Sequence, residues 1–131
     1  MRSDLVTWAE HYLRARDAFE RKMVSMEKTD TGLVVTYKNR KLVVVAQDKL
    51  DDTVATSKDE ILLVTAQTDA NFAALLKAFA AFAEKKDLTV VFVNPKLNEK
   101  WLLKPAIHAS VADKESLKAG LTTMFQAVPT I

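Results

Sequence analysis

Apolar residues at the start of the chain recur at three- and four-residue steps: Leu5, Trp8, Ala9, Tyr12, Ala15, Phe19 and Met23. That spacing gathers them on one helical face, while Glu10, Arg14, Asp17 and Arg21 fall mainly elsewhere. Ser3 and Asp4 offer an oxygen and a negative charge to the free N–H groups of a helix start. The pattern predicts a helix from Asp4 to Arg21.

Short strand signals follow. Met23–Lys28 is the first, closed by Thr29-Asp30-Thr31-Gly32, where Gly32 is expected to supply a positive φ. Residues 33–37 alternate, and Lys38-Asn39-Arg40 is a tight polar turn. Residues 42–46 form a β-branched run of the kind buried on both faces. A three-stranded meander is the expected result.

A polar, acidic stretch occupies 48–60, and Ile61–Ala66 reads as a fourth strand. Thr68 or Asp69 then caps a second long helix reaching Lys85, and 88–93 is another buried-type strand ended by Asn94-Pro95. Residues 101–103 either return as a hairpin strand or continue a short helix begun at Pro95; Pro105 just beyond favours the hairpin. Asp113 caps a last helix carrying Leu117, Leu121, Met124 and Phe125 on one side. The order α-β-β-β-β-α-β-(β)-α predicts an α/β fold with a single mixed sheet flanked by helices.

Composition narrows the class. With 131 residues, 49% hydrophobic and 27% charged, the chain reads as one globular domain spanning 1–131. Cysteine is absent, which removes disulfides and thiolate-bound metals. Two histidines and two glycines leave little for a multi-His metal site or a Gly-rich phosphate cradle. No apolar run approaches the ~20 residues of a bilayer span, and no signal-type core follows Met1. A cytoplasmic protein without membrane association is expected. The net charge of +2 predicts no partner by itself, although an acidic middle lies between basic flanks.

Two features bear on function. Gln47-Asp48-Lys49 directly follows the third strand, after a helix and a meander and before a helix and strand. This order and the Gln-x-Lys triplet resemble the restriction-endonuclease-like nuclease superfamily. The resemblance implies Mg²⁺-dependent cleavage with Glu10, Gln47 and Lys49 as catalytic groups and Asp30 or Asp48 as metal ligands. Carboxylates would hold the ion, and the lysine would orient the attacking water. The second strand has no carboxylate where that superfamily places its metal-binding Asp, and Asp30 lies earlier, in the turn. No cofactor is otherwise expected.

The second feature is the helix over 70–83, where only Asn71 and Lys77 are polar. An all-round apolar helix is normally covered on more than one side. Ala73, Ala74, Ala78 and Ala81 are therefore expected to form an interface, either in a homo-oligomer or with a protein partner. Lys38, Arg40 and Lys41 offer a contact for nucleic acid. The leading reading is a non-catalytic α/β interaction module, self-associating or partner-binding, in a nucleic-acid-related complex or another. The nuclease is the alternative.

Overall fold

The computed structural model describes residues 2–111 and 113–131. Helix α1 (Arg2–Glu20) lays Leu5, Trp8, Ala9 and Leu13 on a sheet. It ends where Arg21 takes φ 49° and the Asp17 carboxylate accepts the N–H groups of Lys22, at 2.9 Å, and Met23, at 3.1 Å. Positive φ at a non-glycine residue is disfavoured, and the carboxylate cap offsets that cost.

The chain then forms β1 (Met23–Lys28), β2 (Gly32–Tyr37) and β3 (Lys41–Gln47), an antiparallel meander with an irregularity between Met23 and Ser25. A loop containing a short 3₁₀ turn, Thr53–Thr56, leads to β4 (Ile61–Ala66), which pairs parallel to β3. Helix α2 (Asp69–Ala83) crosses to β5 (Leu88–Asn94), parallel to β4, and β6 (Glu99–Leu103) returns antiparallel. Helices α3 (Pro105–Val111) and α4 (Lys114–Gln126) complete the described chain. The result is an α/β fold with one six-stranded mixed sheet in the order β1-β2-β3-β4-β5-β6.

Alternating strand residues divide the interior in two. On one face α1 packs over Leu33, Val35, Leu42, Val44, Leu62, Val64, Val91 and Val93. On the other, Leu75 and Phe82 of α2 and Leu121 and Phe125 of α4 pack over Ile61, Leu63, Val90 and Phe92. Strand β4, central and covered on both sides, is buried at every position.

The structure corrects three details of the sequence reading. Phe19 and Ala15 extend the apolar stripe of α1, yet both are exposed, Phe19 by 97%. A helix of 19 residues is ~28 Å long, whereas a six-residue strand spans only ~20 Å. The last turns of α1 therefore overhang the sheet. Gly32 does not have a positive φ; its missing Cβ matters instead, because one built there would lie 2.1 Å from the Val44 carbonyl oxygen. Pro105 opens a helix, α3, that the sequence reading did not contain. Proline is well suited to a first helical position, where its absent N–H has no partner to lose.

Candidate functional site

Parallel strands end together, and α/β proteins commonly bind ligands in the crevice beyond those ends, at a point where successive crossovers diverge. Here β3, β4 and β5 are laid down in one direction, so no such divergence exists. Their carboxyl ends are also filled. Buried Gln67, just past β4, donates to the carbonyls of Phe125 at 2.8 Å and Val128 at 2.9 Å, and accepts the Trp101 indole N–H at 2.8 Å. Buried Asn71 donates to the carbonyls of Asp48 and Ala66 and accepts the Leu50 N–H at 3.0 Å. Asn94 reaches the Pro129 carbonyl at 3.1 Å, and its Oδ1 is buried without a partner. These amides stitch the loop after β3 and the segment after α4 over the strand ends.

The residues carrying the nuclease resemblance lie around this same end of the sheet but do not converge. Gln47 leaves β3 on the side of Val43 and Val45, away from α1, which carries Glu10. Its amide is occupied: Nε2 donates to Asp51 Oδ1 and Oε1 accepts the Asp51 N–H, each at 3.0 Å. The Thr53 hydroxyl, 2.6 Å away, and then the Thr53 N–H hold the Asp51 carboxyl below its ordinary range. Asp48 and Lys49 are exposed in the loop, and the carbonyl of Asp30, in the β1–β2 turn, accepts from Arg2. Among the described residues no group of three or more His, Asp or Glu side chains is placed to hold a metal ion.

Of the basic trio at the β2–β3 turn, Lys38 and Lys41 are exposed and open to solvent-borne anions. Arg40 is engaged: it pairs with Glu60 at 2.8 Å and lies over the Tyr37 ring at 4.4 Å. Tyr37 is half-buried, and burial raises its hydroxyl pKa against the lowering influence of Arg40. Both line a 420 Å³ cleft with Tyr12, Arg16, Asp17, Glu20, Glu60 and Lys104 at the amino ends of the parallel strands. Acids and bases both line it, and Asp17 is already spent on its cap.

Helix α2 divides its alanines differently from the sequence expectation. Ala74 and Ala78 pack against the core, Ala81 is partly buried, and only Ala73 of the four is exposed. The solvent face comprises Ala70, Ala73, Lys77, Ala80 and Glu84. The apolar flank lies beside it. Phe72 stacks on Phe125 with ring centres 4.5 Å apart, and beyond that contact a 640 Å³ groove runs between α2 and α4. Leu76, Phe79, Ala80 and Ala83 form one wall and Leu117 and Leu121 the other, with Lys77, Lys114 and Lys118 at the rim and Ala109 of α3 at the margin.

No protein-family model, curated protein or solved structure matches the chain. The functional reading therefore rests on these side chains alone.

Sequence reasoning found the apolar character of α2 but not the groove. The Leu117 and Leu121 periodicity of α4 was visible; that α4 would line one groove together with α2 was not. The cleft around Tyr37 also escaped it, because its lining comes from five separate stretches of chain.

Proposed function

We propose that this chain is a non-catalytic α/β interaction module that works by binding another protein chain through the groove between α2 and α4. The observation that carries this reading is the groove itself. Its walls are aliphatic and aromatic, it is open to solvent, and among the described residues no carboxylate lines it. Open apolar hollows are unfavourable in water, and those with a charged rim are typical of surfaces that gain a partner. The polar chemistry elsewhere favours the same conclusion, since Gln47, Asp51, Gln67, Asn71, Lys85 and Arg40 are all engaged in internal hydrogen bonds.

Two measurements test it. A photo-crosslinking residue in place of exposed Ala80 is expected to yield a discrete protein adduct in the native cell, whereas one in place of Thr123, away from the groove, is not. Equal labelling at both positions, or none at either, would overturn the reading. Incubation with single-stranded, duplex and branched DNA and with structured RNA, in Mg²⁺ or Mn²⁺, is expected to leave every substrate intact. Cleavage abolished both by EDTA and by Lys49→Ala would promote the nuclease instead.

A further inference from the structure

We infer that the occupant of the α2–α4 groove is an amphipathic helix of a different protein, with apolar anchors along one face and acidic residues flanking them. The inference rests on the interaction-module reading and adds the chemistry of the partner.

Shape is the first argument. The wall residues run from Leu76 to Ala83 on α2 and from Lys114 to Leu121 on α4, a rise of ~10 Å on each helix, or about two turns. Such a trough suits a third helix, which presents anchors at positions i, i+3 or i+4, and i+7. The volume of 640 Å³ has room for several side chains. The floor is already buried, with Leu121 1% exposed, while Leu76, Phe79 and Leu117 are mostly covered and keep a minor part of their surface open. Seating an apolar helix there would finish their burial without rearranging the core.

Charge is the second. Lys77 stands on the α2 side, and Lys114 and Lys118 on the α4 side, so both rims are positive. Among the described residues the ion pairs are Arg40–Glu60 and Lys85–Asp87, so none of the three rim lysines has a carboxylate partner. Three like charges around an apolar trough attract an acidic helix, repel a basic one and leave a neutral-flanked one without charge assistance, and they speed encounter with the acidic one.

A second copy of this chain fits less well. The apolar face of α1 is spent on its own sheet. The most exposed large apolar residue, Phe19, is a single knob beside a trough two turns long.

The test uses the whole chain and two synthetic helical peptides of about 14 residues. Both carry leucine anchors at the same i, i+4, i+7 and i+11 positions; one has glutamates at every flanking site and the other lysines. Titration by fluorescence anisotropy at low salt is expected to show the acidic peptide binding at least about tenfold tighter, from three rim pairs each contributing a few-fold. The advantage should shrink as salt is raised. In the triple variant Lys77→Glu, Lys114→Glu, Lys118→Glu the preference should invert. All three positions are exposed, so folding should survive, and circular dichroism checks this. Ala83→Arg, which fills the trough, should abolish binding of both peptides.

Equal binding of the two peptides, or an acidic preference unchanged in the triple variant, would overturn the inference. So would binding to anionic phospholipid vesicles, lost in the triple variant, with neither peptide bound. A crosslink from position 80 to a second copy would overturn the inference and leave the interaction module standing. Failure of every crosslink and both peptides would overturn the two together.

Discussion

Gln67→Ala is expected to lower the unfolding free energy by about 4 kcal/mol, close to the upper end for single substitutions. Gln67 is completely buried, and its amide makes three hydrogen bonds, two to the main chain after β6 and one from Trp101. Alanine would leave the Val128 carbonyl and the Trp101 indole N–H without these partners beside a void, while the Phe125 carbonyl keeps the Val128 N–H at 3.3 Å. Each orphaned buried group costs ~1–3 kcal/mol, reduced where water enters the space left behind. Urea unfolding followed by tryptophan fluorescence measures the loss, with Trp101 as a local reporter of the broken bond. Gln67→Leu restores volume without the hydrogen bonds and should recover only a minor part. A loss below about 1 kcal/mol would mean that the segment over the strand ends is held by packing alone.

Gly32→Ala is expected to cost about 3 kcal/mol, at the severe end of overpacking. The new methyl group would sit 2.1 Å from the Val44 carbonyl oxygen and 2.9 Å from its carbon. These atoms belong to the backbone of β3, paired with β2 through Gly32 opposite Val45. A flexible side chain could swing aside; a paired strand cannot, so the ladder itself must open. Gly120→Ala is the matched control. Its added Cβ meets nothing within 4 Å, and Gly120 lies inside α4, where alanine gains about 0.5–1 kcal/mol over glycine. Thermal unfolding of the two variants should therefore shift in opposite directions. A neutral Gly32→Ala would contradict the close approach of β2 and β3.

The two glycines also mark what local sequence can express. Gly32 sits in a Thr-Asp-Thr-Gly stretch that reads as a turn needing positive φ, and the structure requires a glycine there without that φ. The reason differs, because the clash arises from a strand twelve residues further on. Among the described residues Arg21 and Asn98 hold positive φ values instead; asparagine tolerates that region through its short polar side chain, whereas arginine carries no such signal. The candidate site divides in the same way. Gln47 reads as the residue just after the third strand, yet it is the last residue of β3, and its amide bonds Asp51, whose carboxylate Thr53 holds in turn to close the loop.

The sequence by itself determined the kinds and order of nearly all the elements. Helical and strand periods, and caps such as Thr68 and Asp113, act over a few residues, so they can be read from neighbours. The tertiary structure decided which faces meet. It left Phe19 beyond the sheet edge, turned Ala74 and Ala78 inward, and tied Gln67 to carbonyls 58 and 61 residues away. It also set α4 beside α2 so that an apolar groove with a lysine rim lies open between them. These outcomes depend on pairs of surfaces brought together from distant parts of the chain. No local pattern encodes which surface a given face will find, or whether it will be covered at all.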